Sequence, residues 1–190
     1  MSESNDRCKP VFFIDMEGTI LSTISDDLLD EKRGYLKDFS KYVESKGFKL
    51  NGGFLVLRPG IKVLLRNLKK LGTVVLFSGA SQCEVDENVK ICGLQDLLDG
   101  WFGAGSGEGS NGWPIITDGG FCLIDDAYNA GKLSIILDRR SDHNDMERHL
   151  IKVNSFRGDG SDVECRQILK TIQSRIVNNI YYSVTPTEKA

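Results

Sequence analysis

Short apolar runs alternate along the chain with longer segments whose apolar residues recur three and four positions apart. That alternation predicts an α/β fold, a parallel sheet built from strand–helix–strand crossovers with helices on both faces. The strand candidates are VFFID (11–15), TVVLF (73–77), FCLID (121–125) and LIKVN (150–154). The first three are nearly continuous in apolar character, as central strands covered on both sides should be. Helices are predicted over 26–46, 60–71, 81–98, 127–138 and 162–177. In the second of these Ile61, Leu64, Leu65 and Leu68 share one face, Lys and Arg take the other, and Gly72 follows where a helix would stop.

A chain of 190 residues can bury one sizeable core but hardly two. The expected organisation is a polar tail over 1–9, one domain over 10–178 with a small insertion at 20–57, and a second tail over 179–190. The stretch GAGSGEGSNG (103–112) carries Gly107, Gly109 and Gly112 at GxGxxG spacing, yet it neither follows the first strand nor opens a helix, and it reads as a surface loop. Charge adds little: 24 basic and 27 acidic side chains give a net −3. Without a basic run there is no evident surface for nucleic acid or an anionic membrane. The amino terminus lacks the apolar stretch of a signal peptide, and no apolar run is long enough to span a bilayer, so a cytoplasmic protein is expected. Cys8, Cys83, Cys92, Cys122 and Cys165 are odd in number and lack CxxC spacing; they read as small buried hydrophobes. His143 and His149 fall in a charged, solvated stretch.

The chemistry is concentrated where apolar runs end. Ligands of open parallel sheets bind beyond the carboxyl ends of the strands. There the first run gives Asp15-Met16-Glu17-Gly18-Thr19, the second Ser78-Gly79, and the third Asp125-Asp126. Carboxylates converging from two strand ends repel unless a cation sits between them, and an oxygen-only set of Asp15, Glu17, Asp125 and Asp126 suits Mg²⁺. Beside such an ion an aspartate can attack phosphorus, a carboxyl group two residues on can protonate the leaving oxygen, and a hydroxyl such as Ser78, with Gly79, can hold a phosphoryl oxygen. Each piece also has a plain structural use. Asp-x-Glu-Gly can be a turn closed by an Asx bond, Asp125-Asp126 a helix cap, and Arg58-Pro59-Gly60 a turn that starts a helix.

The order of these motifs resembles the haloacid dehalogenase (HAD) superfamily over roughly residues 10–175. DMEGT is similar to that family's DxDGT, VVLFSG to its second motif and LIDD to its fourth. The further run of RPG (58–60), VVLFSGAS, LIDD and a late FRGDGSD resembles the family's small-cap phosphatases of polymerase tails. The resemblance implies a Rossmann-like sheet with a small or absent cap and a Mg²⁺-dependent phosphohydrolase acting through an aspartyl-phosphate. It implies Asp15 as nucleophile, Glu17 as acid/base, and a phosphorylated substrate, either a small molecule or a phosphoprotein. Glu17 stands where the family usually has Asp. The family's basic residue has no obvious counterpart: from Ser78 through Asp126 there are nine acidic residues and only Lys90, so either Lys90 or Lys132 fills the role or the charge is missing. A non-catalytic, HAD-like binding or regulatory protein is the alternative. A response-regulator receiver is excluded, because its acidic pair follows the first strand and its phosphoacceptor comes later. The first gap, with its amphipathic stretch at 26–48 and the apolar FLVL after it, is expected to form a small helical cap, or a helix plus edge strand, beside the site.

Overall fold

A computed structural model describes residues 9–33, 36–104, 134–138 and 150–184. In chain order its elements are β1 (Val11–Asp15), β2 (Leu21–Ser25), α1 (Asp26–Arg33), α2 (Lys37–Lys46), β3 (Phe48–Leu50), β4 (Gly53–Leu57), α3 (Ile61–Leu71), β5 (Thr73–Ser81) and α4 (Gln82–Ile91). A 3₁₀ turn at Gln95–Leu97 leads to β6 (Gly100–Ala104), followed by β7 (Ser134–Asp138), β8 (Leu150–Lys152) and α5 (Glu164–Val184).

Five strands form a parallel sheet in the order β6-β5-β1-β7-β8. VFFID takes its centre because every one of its residues is buried. Successive side chains of a strand point to opposite faces. Phe12 and Ile14 accordingly join Val74, Leu76, Ile135 and Leu137 in the larger core cluster. Val11 and Phe13 meet Val75, Phe102 and Ile136 in a smaller one on the other side. The larger cluster is closed by the apolar faces of α3 (Ile61, Leu64, Leu65, Leu68), α4 (Val85, Val89) and α5 (Cys165, Ile168, Ile172).

The elements between β1 and α3 form a second, antiparallel sheet in the order β2-β4-β3, with α1 and α2 beside it. Leu50 pairs with Gly53 across the two-residue turn Asn51-Gly52, where Gly52 adopts φ 89°. Ile24, Leu29, Val43 and Val56 give this unit its own core, and Phe156, from the segment after β8, completes it. The unit is therefore a helix pair on a three-stranded sheet, where a helical cap or a helix plus one edge strand was expected.

Three helix expectations change. The segment 26–46 is two helices, α1 ending at Arg33 and α2 beginning at Lys37. The helix expected over 81–98 ends at Ile91 because Gly93 (φ 58°) turns left-handed. There Gly93 N–H bonds Lys90 O at 3.1 Å and Leu94 N–H bonds Val89 O at 3.0 Å, the paired bonds of a Schellman stop. The end of the helix expected over 127–138 is instead β7, since Ser-Ile-Ile-Leu-Asp is a β-branched apolar run that inserts beside β1. Gly103 and Ala104, expected in a loop, end β6, while residues 105–112, FCLID (121–125) and both histidines lie outside the described residues. None of the described helices is long and apolar enough to cross a membrane.

Candidate active site

From β1 the chain moves outward through β5 and β6, then returns to place β7 on the other flank of β1. This reversal makes the carboxyl end of the β1/β7 pair the topological switch point, where the loops leaving adjacent strands diverge and open a crevice. The last residues of the two strands are Asp15 and Asp138. Ile14 pairs with Leu137, so one position further on the two aspartates stand level on neighbouring strands, with about 4.8 Å between the strands. Both carboxylates belong to the face of the sheet that carries Phe13 and Ile136, and both are buried, Asp15 at 7% exposure and Asp138 at 0%.

Behind Asp15 the chain folds into a tight loop. Gly18 takes φ 73°, its N–H bonds Leu21 O at 2.7 Å, and Ile20 N–H returns to Met16 O at 2.9 Å. The loop brings Thr19 Oγ1 to donate to Asp15 Oδ2 at 2.9 Å. It also presents half-buried Glu17 to the first strand of the antiparallel sheet, where the Thr23 backbone N–H donates to Oε1 at 3.1 Å and the Thr23 hydroxyl to Oε2 at 3.4 Å.

On the other flank Asp15 pairs with Phe77, so Ser78 and Gly79 emerge one and two residues beyond the level of Asp15. Ser78 is half-buried and its Oγ accepts the Ala80 N–H at 3.1 Å; Gly79 is exposed. Register between β5 and β6 breaks between Phe77 and Ser81, which frees this turn from the ladder. It runs into α4, whose N-terminus is fixed by a capping box. Ser81 Oγ accepts the Glu84 N–H, while Glu84 Oε2 accepts from the Ser81 hydroxyl at 2.7 Å and from the Ser81 N–H at 3.0 Å, and these last two bonds hold the Glu84 carboxyl below its ordinary range. The turn thus lies at the positive end of a helix, a position that favours an anion.

The sequence-derived residues divide accordingly. Asp15, Glu17, Ser78 and Gly79 converge on the carboxyl edge of β1 and β5. Lys90 does not join them: it is exposed in the last turn of α4, about 12 Å along the axis from Gln82 and leading away from that edge. Asp125, Asp126 and Lys132 lie outside the described residues. Ser134, two residues after Lys132, pairs with Val11 at the opposite end of β1 from Asp15. Asp138 was missed, although SIILD has the same form as VFFID, an apolar run closed by Asp.

Arg58 is buried, at 1% exposure. It donates through Nη2 to Asn154 O, lies 3.4 Å through Nε from Asp162 Oδ2, and stands over the Phe156 ring at 5.3 Å. Loss of solvent lowers its pKa against the opposing pull of Asp162. Phe156 N–H in turn donates to Gly18 O at 2.7 Å. Arg58 therefore ties the segment after β8 to the loop that carries Glu17, a structural task.

Among the described residues no group of three or more His, Cys, Asp or Glu side chains is placed to hold a metal ion. Mg²⁺ does not require one, because it binds through one or two carboxylates and retains several waters. The level pair Asp15 and Asp138 fits it. A cleft of about 1210 Å³ lies between α1/α2 and residues 157–161; Thr23, which holds Glu17, is in its wall, while Asp15, Glu17, Ser78 and Asp138 do not line it.

No protein-family model and no curated protein matches the chain. Solved structures do. The structure of Fcp1, described as an essential RNA polymerase II CTD phosphatase, aligns over 97% of this chain and 56% of its own, with a TM-score of 0.53 and 15% identity. Fission yeast Fcp1-R271A bound to beryllium fluoride aligns over 90% of this chain and 51% of its own, with a TM-score of 0.53 and 19% identity. A β-phosphoglucomutase described as putative, from Thermotoga maritima, aligns over 87% of this chain and 99% of its own, with a TM-score of 0.51 and 12% identity. The chain spans about half the length of the Fcp1 structures. Strand order, switch point and these alignments agree: the chain shares its Rossmann-like α/β fold with the Fcp1 and β-phosphoglucomutase structures.

Proposed function

We propose that the protein is a Mg²⁺-dependent phosphohydrolase. The observation that carries this reading is the register that sets Asp138 level with Asp15 at the switch point. Mg²⁺ held by these two carboxylates would offset their charge and that of a bound phosphoryl group. Asp15 attacks phosphorus, forming an aspartyl-phosphate as the bond to the leaving oxygen breaks. Glu17 gives that oxygen its proton, then takes one from the water that attacks the same phosphorus and restores the Asp15 carboxylate. Ser78 and the N–H groups of its turn bind the phosphoryl oxygens. The fold shared with Fcp1, and a cleft with Thr23 in its wall, support a phosphoprotein substrate, with a phosphorylated small molecule as the other option. Free thiols at Cys83, Cys92 and Cys165 support a reducing, cytoplasmic setting.

The test is hydrolysis of para-nitrophenyl phosphate with Mg²⁺ or with EDTA, in the wild type and in Asp15→Asn, which keeps the side chain's shape and removes its charge. The expected outcome is turnover that needs Mg²⁺ and disappears in a folded Asp15→Asn protein. Wild-type turnover in that variant would overturn the assignment of Asp15. Phosphate binding with no turnover in the wild type would favour a non-catalytic binding protein.

A further inference from the structure

The outer surface of α3 and α5 is basic in a chain whose net charge is −3. α3 carries four basic residues and no acidic one, and α5 carries Arg166, Lys170 and Arg175 against a single acid, Glu164. Some of these have internal tasks. Lys69 pairs with Asp99 at 3.2 Å, Arg175 donates to Leu150 O at 2.8 Å, and Glu164 accepts from Asn154. Arg66, Lys70, Arg166 and Lys170 remain exposed, and among the described residues none of the four has an ion-pair partner.

These four side chains share one face. α3 and α5 start side by side, since a Cβ built on Gly60 would stand 3.4 Å from Cys165 Cβ. Both helices then run from the carboxyl edge of the sheet to its amino edge: α3 ends just before Thr73, the partner of Val11, and Arg175 reaches Leu150 at the start of β8. At 1.5 Å per residue Arg66 lies about 9 Å beyond Gly60 and Lys170 about 8 Å beyond Cys165, on axes about 8–10 Å apart. Apolar side chains are set among these charges. Val63, Val163 and Val177, exposed by 57%, 56% and 50%, are three of the four large hydrophobics exposed among the described residues. Val163 and Val177 stand about 21 Å apart along the helix.

We propose that this α3/α5 face docks an acidic, amphipathic segment of a partner protein. Unpaired bases separated by bare valines complement a helix or strand that alternates Asp or Glu with aliphatic residues. A nucleic-acid strand would gain nothing from the valines and would want stacking rings, and α3 and the described side chains of α5, through Val177, include none.

The test uses the intact protein and a labelled synthetic peptide with Leu at helical spacing and Glu elsewhere, read by fluorescence anisotropy. Poly-glutamate of equal charge, duplex DNA and phosphatidylserine vesicles are the comparators. The Leu/Glu peptide is expected to bind more tightly than poly-glutamate and to lose about tenfold or more in affinity with Arg66→Glu combined with Lys170→Glu. Val63→Ser combined with Val163→Ser, which keeps every charge, should bring the peptide down to the poly-glutamate level. Equal binding of the two peptides, tighter binding of DNA or vesicles, no binding, or indifference to the charge reversal would each overturn the proposal. Aryl-phosphate turnover should be unchanged in all these variants, because Arg66, Lys170, Val63 and Val163 are exposed on the outer side of the helices, opposite the residues that pack on the sheet. The outcome is therefore independent of the phosphohydrolase reading.

Discussion

Two buried carboxylates side by side repel each other unless a proton or a cation intervenes, and Asp15 and Asp138 are both buried at one sheet edge. Replacing Asp138 by Asn should therefore weaken Mg²⁺ dependence directly. A Mg²⁺ titration of turnover is expected to show the half-maximal concentration raised by about tenfold or more. A second residue-scale expectation concerns Cys92, whose thiol burial pushes from 9.0 up to about 12, with Lys62 opposing. The unfolded chain releases this proton near its ordinary value and the folded chain holds it. The associated stability is thus complete below about pH 9 and lost as pH rises toward about 12. Urea midpoints should fall between pH 8.5 and 11, and Cys92→Ala should flatten that fall. Asp15, Glu17 and Ser78 were legible in the sequence because each closes or follows a run too apolar to be anything but a central strand. Asp138 was not, because SIILD follows an amphipathic stretch and its apolar run continues that helical pattern without a break.

At the scale of elements, the turn that carries Ser78 is anchored by what comes next. The Ser81/Glu84 capping box satisfies N–H groups that α4 would otherwise leave bare. Ser81→Ala should lower stability by about 1 kcal/mol, measured by urea denaturation, with a rise in KM for aryl phosphate as the Ser78 turn loosens. The core helix α3 was readable almost residue by residue, since four apolar positions at helical spacing leave one arrangement. The antiparallel sheet was not, although Asn51-Gly52 between FKL and GFLVL is the short-range signature of a hairpin. Strands of three to five residues carry too few alternations to stand out, and Gly53 hides the pattern further because a Cβ there would come within 2.3 Å of Ile24 O.

For the whole molecule, the order β6-β5-β1-β7-β8 means that the chain builds one half of its sheet completely before it begins the other. β1, β5 and β6 come together within the first 104 residues, β1 joined to β5 through the antiparallel unit and α3, and β5 to β6 through α4 and the 3₁₀ turn. Asp15 acquires its acidic neighbour only when Asp138 arrives, closing a loop of more than a hundred residues. Closure over such a separation is slow, because the entropy of the intervening chain is lost before any contact repays it. In refolding followed by stopped flow, helical circular dichroism should therefore recover ahead of aryl-phosphate turnover, and a protein released from denaturant would pass through a period in which it is largely structured yet inert. On the proposed reading the same ordering protects the growing polypeptide: a chain made only as far as β6 would carry Asp15 without Asp138 and would not act on phosphate.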